Sequence, residues 1–261
     1  MSIEKKQQLK IVVMSGKGGV GKSTVAVNLA YAFALEGYKT GLIDADVHGP
    51  SQAKLTNTQG LRVHSNDNQK LEPIQVLSHL SVLSIAHLLE HPDQPIIWRG
   101  PMKANFIHQM IEDTEWEGYD VLISDCPPGT GDEVLSVVQI LKPDAAVIVS
   151  TPQELALLDV RKSISFAFDL NISNIVLIEN MGVMLCPSCG AETHLFKGNA
   201  LDKASADFDI PIISRLPFNQ EILLSGETGV PVAADSTNTY YRDLFLKAVH
   251  YLIDKTKKGG E

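Results

Sequence analysis

The sequence predicts an α/β fold with a doubly wound, mostly parallel sheet. Two observations predict it. First, short and nearly continuous apolar runs alternate with stretches of helical periodicity, as they do when helices cover both faces of a parallel sheet. Second, a glycine-rich turn joins the first apolar run directly to the first helical stretch. Because 261 residues with 44% hydrophobic content can bury one large core, we expect a single domain over residues 1–261.

Each element is predicted from local periodicity and from the residues that end helices. Residues 23–37 have helical apolar spacing and end at Gly37. Residues 55–98 are predicted as an irregular insertion that contains a hairpin at 74–86. Residues 239–261 are predicted as an amphipathic helix that packs on the sheet, with membrane binding as the alternative. The predicted strands of the sheet are residues 10–15, 40–44, 120–124, 144–150, 174–179 and 211–216.

Composition restricts the class of partner. The net charge of -9 argues against a sequence-independent grip on nucleic acid, because that grip comes from Lys and Arg that neutralise phosphates. The first ten residues are polar and do not resemble a secretion signal, and no apolar run reaches the roughly 18 residues that span a bilayer. We therefore expect a cytoplasmic protein with no stable membrane association.

Residues 16–23, GKGGVGKS, match the pattern GxxxxGK[ST] that binds nucleotide phosphates, in the required position between a strand and a helix. Backbone N–H groups of such a loop surround phosphate oxygens, and the helix N-terminus adds its positive dipole end. We expect Lys22 to reach the β and γ phosphates of ATP and the Ser23 hydroxyl to ligate Mg²⁺. The predicted loop comprises Gly16, Lys17, Gly18, Gly19, Val20, Gly21, Lys22, Ser23 and Thr24.

Acidic residues follow two other predicted strands. Asp125 ends the run LISD, and Asp44 and Asp46 lie in GLIDAD. Because ligands of open parallel sheets bind at the carboxyl ends of the strands, we expect these acids in the same crevice as the phosphate loop. Asp125 is predicted to hold Mg²⁺ through water, and the PPGTGD segment that follows it is predicted to be a switch loop.

Asn180 closes the strand in NIVLIENM. A side-chain amide offers an acceptor and a donor that match the N6 and N7 edge of adenine, although Asn at a strand end is also a common turn former. The adenine interpretation favours ATP over GTP.

Cys186 and Cys189 form a CPxCG motif in a predicted loop at 183–197. A tetrahedral zinc site or a cubane iron–sulfur cluster needs four protein ligands, and this pair supplies two. Within the chain, the other candidate ligands are Cys126 and histidines such as His194, and the simpler completion is a two-fold dimer that brings two pairs together. A redox-active pair is the competing interpretation, but the motif lacks the helix N-terminus that lowers a thiol pKa. Cys126 is assigned to packing or to the switch loop.

Lys17 is an additional lysine inside the phosphate loop. One interpretation is a solvated surface lysine. The loop also resembles that of the dimerising ATPases related to MinD, ParA and nitrogenase iron protein, which carry a deviant Walker A motif. The resemblance implies that Lys17 crosses a dimer interface to the partner's nucleotide. It also implies that Asp46 orients or deprotonates the attacking water, and that Asp44 supports the metal site.

Nearly the whole chain resembles the Mrp/ApbC family of iron–sulfur cluster carrier ATPases. The resemblance implies Mg-dependent ATP hydrolysis, a homodimer or close heterodimer, and delivery of a cluster to apo iron–sulfur proteins. It also implies a labile 4Fe–4S cluster bridged by Cys186 and Cys189 of two subunits. The alternatives are a MinD/ParA-like spatial-positioning ATPase and an ATPase dimer stapled by zinc. The segments that carry the resemblance are KGGVGKS, DADVHGPS, WRGPM, SDCPPGTGDE, ENMGVMLCPSCG and LPFNQEI.

Overall fold

Consecutive residues of the first strand bury their side chains on opposite faces of the sheet, in two separate hydrophobic cores. This double burial is the reason why the strands are apolar without a polar alternation. The computed structural model of the chain describes residues 8–89, 98, 100–186, 188–235 and 239–257. Ile11 and Val13 contribute to the core beneath the first and last helices, whereas Val12 and Met14 contribute to the core on the other face.

Strands and helices alternate along most of the chain. The strands are β1 (Leu9–Met14), β2 (Thr40–Asp44), β3 (Ile74–Leu77), β4 (Leu80–Ser84), β5 (Val121–Asp125), β6 (Ala145–Ser150), β7 (Asn174–Leu185), β8 (Glu192–Thr193) and β9 (Ile212–Phe218). The helices are α1 (Lys22–Leu35), α2 (Gln52–Leu55), α3 (Gly100–Glu112), α4 (Asp132–Leu141), α5 (Leu157–Asp169), α6 (Ala200–Phe208), α7 (Gln220–Thr228) and α8 (Thr239–Lys257).

The sheet has the strand order β3-β4-β2-β5-β1-β6-β7-β8, and β9 also pairs with β7. Neighbouring strands from β4 to β7 are parallel, as are β7 and β9, whereas β3 and β8 pair antiparallel to β4 and β7. Helices cover both faces. The predicted doubly wound, mostly parallel fold is confirmed.

The predicted insertion at 55–98 is less irregular than its sequence pattern indicates. The predicted hairpin is present as β3 and β4, but β4 is also fully buried and pairs in parallel with β2. It therefore extends the main sheet, because the run LSVLS provides apolar side chains for both faces of a buried strand. Residues 90–97 of the predicted insertion lie outside the described residues.

The C-terminal helix α8 packs against α1 and β9, as predicted, and buries one apolar face formed by Tyr241, Phe245, Val249 and Leu252. Residues 258–261 of the predicted helix lie outside the described residues. Across the described ranges, no helix has both the length and the apolar composition needed to cross a membrane.

Candidate nucleotide site and cysteine hairpin

The carboxyl ends of β1, β2 and β5 bring the phosphate loop and the predicted acids together. Asp125 is in register with Val13 of β1 on one side and with Asp44 of β2 on the other. The loop then leads from β1 into α1, and Gly19 and Gly21 adopt positive φ angles of 78° and 87° within it. A side chain at Gly21 would also collide with the amide of Asn180. The fold thus requires glycine where the sequence motif has it.

Lys22 and Asp125 form a buried ion pair at the centre of this site. Lys22 Nζ lies 2.5 Å from Asp125 Oδ1, and the side chain of Asp125 is fully buried. Burial alone would lower the pKa of Lys22, but the adjacent carboxylate more than compensates, so that the pKa lies above its usual value. The lysine is therefore a firmly charged cation inside the phosphate loop.

Gln52 occupies the other oxygen of the same carboxylate. Its Nε2 donates to Asp125 Oδ2 at 2.7 Å and to the carbonyl oxygen of Ser23 at 3.1 Å. Gln52 belongs to none of the sequence motifs described above. Its only sequence signal was its place, directly after the acidic segment DADVHGPS.

Asp44 is fully buried beside this pair. Its Oδ2 accepts hydrogen bonds from the backbone N–H groups of Ser51 and Gln52, both at 3.0 Å, and from Ser84 Oγ at 2.9 Å. Burial, and after it the neighbouring charge of Asp125, raises the pKa of Asp44 to about 7. The charge of Asp125 therefore opposes the ionisation of Asp44.

Several oxygens around these carboxyl groups lack a hydrogen-bond partner. Among the described residues, Asp44 Oδ1, Ser51 Oγ and Gln52 Oε1 are buried and unpaired. Buried polar atoms are normally satisfied, and oxygens are the ligands that Mg²⁺ and its bound waters prefer. The residues present thus fit a hydrated magnesium ion next to Ser23 and Asp125.

Asp46 and the predicted switch loop lie at the rim of the site. Asp46 is half-buried, its Oδ1 accepts from the backbone N–H of Gly49 at 3.0 Å, and its charge contributes to the raised pKa of Lys22. Lys103 of α3 connects the segment that follows Asp46 to the start of α4. Its Nζ contacts His48 Nε2 and lies 2.5 Å from Glu133 Oε1, at the start of α4 behind the switch loop.

Asn180 lies between the phosphate loop and a cavity. Its Nδ2 donates to the carbonyl oxygen of Val20 at 2.9 Å, so one amide N–H is used by the protein itself. The amide has a second N–H and an oxygen besides. The cavity measures about 410 Å³ and adjoins both the loop and the segment at the end of β9. Among its lining residues are Gly21, Thr24, Asn180, Met181, Pro217, Phe218 and Asn219.

Lys17 does not bond to the residues around Asp125 and instead contacts the segment that follows β6. Its Nζ donates to Gln153 Oε1 at 3.3 Å, in the segment that follows β6. The same segment packs on the loop so closely that a Cβ at Gly16 would lie 2.6 Å from the backbone oxygen of Asp159. It also exposes two leucines, Leu155 at 86% and Leu158 at 61%. The surface around Lys17 is therefore partly apolar.

The cysteine pair lies at the tip of a hairpin formed by β7 and β8. Cys186 follows the last residue of β7 directly, and Cys189 is exposed. The turn is closed by backbone hydrogen bonds from Gly190 to Cys186 and from Cys186 to Ala191, at 2.8 and 2.9 Å. Backbone N–H groups of Ser188 and Cys189 lower the pKa of the Cys186 thiol. The turn thus favours a thiolate, the form that binds metal.

No complete metal site is formed within one copy of the described residues, where no group of three or more His, Cys, Asp or Glu side chains is placed to hold an ion. Cys126 is fully buried next to Asp125, and burial raises the pKa of its thiol to about 12. It packs in the core that contains Val12 and Met14. The thiols of Cys186, which is half-buried, and of Cys189, which is exposed, are thus the two at the hairpin tip, and a tetrahedral zinc site or a cubane cluster would need two further ligands.

Comparison with known proteins decides which kind of NTPase carries this site. The family model described as "ParA: NUBPL iron-transfer P-loop NTPase" matches residues 6–253. The chain belongs to this family. The resemblance predicted from the sequence is thereby confirmed.

Relatives of this NUBPL-family chain carry the name "Iron-sulfur cluster carrier protein". One from Pyrococcus horikoshii is 37% identical over 264 residues, which cover 98% of the chain and 89% of the relative. One from Aquifex aeolicus is 40% identical over 243 residues, which cover 93% of the chain and 66% of the relative.

Solved structures agree with the sequence relatives. A nucleotide-binding protein from Archaeoglobus fulgidus in complex with ADP is 35% identical, with a TM-score of 0.78 and 91% of each chain covered. The septum site-determining protein MinD from Pyrococcus horikoshii, complexed with Mg-ADP, is 19% identical, with a TM-score of 0.70 and coverage of 94% of this chain and 96% of that one. At that identity, MinD shares the fold of the NUBPL-family chain.

Proposed function

We propose that the chain is a Mg-dependent ATPase that carries a labile 4Fe–4S cluster between two copies of itself and delivers the cluster to apo iron–sulfur proteins. The observation that carries this proposal is the pair of thiols at the tip of the β7–β8 hairpin, one half-buried and one exposed, on a domain with a candidate nucleotide site. The names of the relatives support it. The Archaeoglobus structure, whose title names bound ADP, supports the nucleotide.

In the proposed site, the chain holds ATP through the N–H groups of residues 16–24, and the magnesium ion supplies charge neutralisation to the phosphates. Ser23 provides a ligand to the ion, and Asp125 holds it through water. Lys22 exchanges its bond with Asp125 for the β and γ phosphates. Asp46 orients or deprotonates the attacking water. The second N–H and the oxygen of Asn180 recognise the adenine edge.

The proposed dimer completes both sites. Lys17 bonds to Gln153, outside the group around Asp125, and in the proposed dimer its cation serves the nucleotide of the partner copy. Two hairpins, one from each copy, provide four thiolates for the cluster, which is cargo. ATP-dependent changes at the dimer interface then alter how tightly the thiolates hold the cluster.

Anaerobic reconstitution with iron and sulfide tests the proposal. We expect one 4Fe–4S cluster per two chains, with the visible absorbance of an iron–sulfur cluster, and transfer of the cluster to an apo-ferredoxin. Cys186→Ser and Cys189→Ser should each lose the iron and keep ATP binding. Cys126→Ser is the matched control, because its thiol is buried in the core, and it should retain the iron.

Two results would contradict the carrier function. One is iron content that is unchanged in both hairpin variants. The other is zinc as the only metal in protein purified without oxygen, which would favour a stapled dimer that uses the same thiols.

A further inference from the structure

Gln52 is a buried polar side chain beside the acidic residue at the centre of the nucleotide site. It is fully buried at the first residue of α2. Its amide group makes two hydrogen bonds, one to the carboxylate of Asp125 and one to the backbone of Ser23. These are the two residues to which the proposed magnesium site is assigned, and Gln52 joins them directly.

The two oxygens of Asp125 have different partners. Oδ1 is paired with the ammonium group of Lys22, and Oδ2 is paired with the amide of Gln52. When Lys22 turns to the phosphates of ATP, Oδ1 is released, whereas the amide can stay in place. Gln52 would then hold the carboxylate of Asp125 in place for binding the hydrated ion.

Gln52 is itself held rigidly. Its backbone N–H donates to Asp44 Oδ2 at 3.0 Å, and its carbonyl oxygen accepts from Thr56 Oγ1 at 2.6 Å. Thr56 is linked through Thr58 to the buried ring of His87. Because both the backbone N–H and the backbone carbonyl of Gln52 are hydrogen-bonded, its side chain starts from a fixed position and is suited to orient another group.

The amide oxygen of Gln52 indicates a ligand, because it has no hydrogen-bond partner among the described residues. Gln52 Oε1 is buried without a partner among the described residues, as is the neighbouring Ser51 Oγ. A water bound to the ion would satisfy an unpaired acceptor of this kind.

We propose that Gln52 is a positioning residue for magnesium in the nucleotide site. It orients Asp125 and the Ser23 backbone, and its free oxygen accepts from the hydration shell of the ion. This inference rests on the proposed function, because it assumes that the site binds Mg-ATP.

The test compares nucleotide affinity with and without the metal. A fluorescent ATP analogue is titrated into the full chain in excess Mg²⁺ and again in EDTA. The dissociation constant in EDTA divided by the dissociation constant in Mg²⁺ is the ratio that measures how much the ion strengthens binding. Gln52→Met keeps the size of the side chain and removes its hydrogen bonds. We expect the ratio to fall by about 10- to 100-fold, as is typical when the partner of a metal ligand is lost, with little change in EDTA.

A control variant sharpens the comparison. Gln109→Leu makes a similar change on the exposed face of α3 and should leave the ratio at the wild-type value. Thermal unfolding in EDTA checks that Gln52→Met is folded, and if it is not, Gln52→Asn replaces it with the same expected loss, because the shorter amide cannot reach Asp125.

An unchanged ratio in Gln52→Met would overturn the inference. So would an equal loss of affinity in Mg²⁺ and in EDTA, since that result indicates general support of the loop. If the wild-type chain binds no nucleotide under either condition, the proposed function fails instead. The two failures are therefore distinguishable.

Discussion

Lys22 and Asp125 neutralise one another: Nζ of the phosphate-loop lysine lies 2.5 Å from Oδ1 of the acid that ends β5, and both side chains are buried. The pair links α1 to the centre of the sheet. Loss of one partner leaves the other as an uncompensated buried charge, so this pair matters for folding as well as for nucleotide binding.

Lys22→Met should abolish ATP hydrolysis and lower the free energy of unfolding by roughly 3 to 5 kcal/mol, the usual effect of breaking a buried ion pair. Phosphate release and urea unfolding measure the two effects. Lys22→Met combined with Asp125→Asn removes both charges and should recover most of the stability without any hydrolysis. Wild-type stability of Lys22→Met alone would contradict this account.

Lys17→Ala should retain ATP binding and lose hydrolysis by a factor on the order of 10³, because cations supplied to a transferring phosphate from another chain have effects of this size. Gln153→Ala removes the side-chain bond of Lys17 and should retain hydrolysis. Mixing Lys17→Ala chains with Asp46→Asn chains should restore part of the activity, since one site of each mixed dimer is intact. Full activity of Lys17→Ala would refute a role across the dimer.

Leu155→Asp and Leu158→Asp should weaken the proposed ATP-dependent dimer. Both leucines are exposed on the segment that carries the partner of Lys17, and a charge there would have to be desolvated on association. We expect at least a tenfold increase in the dimer dissociation constant, measured by light scattering with ATP. Leu35→Asp, at a leucine that is 45% exposed at the end of α1, is the control and should dimerise normally.

Asp44→Asn should change stability in a pH-dependent way. The folded pKa of Asp44 is raised to about 7, so its favourable contribution is complete below the unfolded pKa of about 4 and is lost as the pH rises to about 7. At about pH 8, without magnesium or nucleotide, the variant should be more stable than wild type by roughly 1 to 4 kcal/mol. Urea unfolding at several pH values measures the difference. An advantage that is equally large near pH 4 would contradict the assignment.

Lys103→Met should reduce kcat for ATP about tenfold with little change in KM, an effect of the size expected for misplacement of catalytic groups. Lys103 joins the segment that carries Asp46 to the start of α4, through His48 and Glu133. Lys203→Met breaks a comparable but exposed pair with Glu154 and serves as the control. Steady-state kinetics distinguish the two. A kcat of Lys103→Met equal to that of the wild type would contradict a role of Lys103 in positioning the segment that carries Asp46.

The fold and the core of the nucleotide site could be predicted because their signals are local. A phosphate loop has its residues in one short run, and acids at strand ends are placed by the parallel sheet itself. Gln52 and Lys103 could not be found in this way. Gln52 meets Asp125 across 73 positions of sequence, and Lys103 meets His48 across 55, and no periodic pattern marks such contacts.

The strand boundaries show a second limit. The segment 174–179 was predicted as a strand from its apolar run, but β7 continues to Leu185. The continuation contains Met181 at a positive φ of 60° and an irregular register with β9. Pairing with neighbouring strands determines where a strand becomes irregular, and the propensities of local residues carry no information about that pairing.

The length of β7 has a mechanical consequence. Asn180, beside the phosphate loop, and Cys186, at the hairpin tip, are six positions apart on one chain segment, which spans at most roughly 20 Å, the length of a fully extended strand at about 3.3 Å per residue. β6 and β9 pair with the part of β7 that leads to Asn180, and β9 and β8 pair with the part that leads from it to the hairpin tip. β7 is therefore a continuous main-chain connection between the nucleotide cavity and the two sulfur atoms of the hairpin.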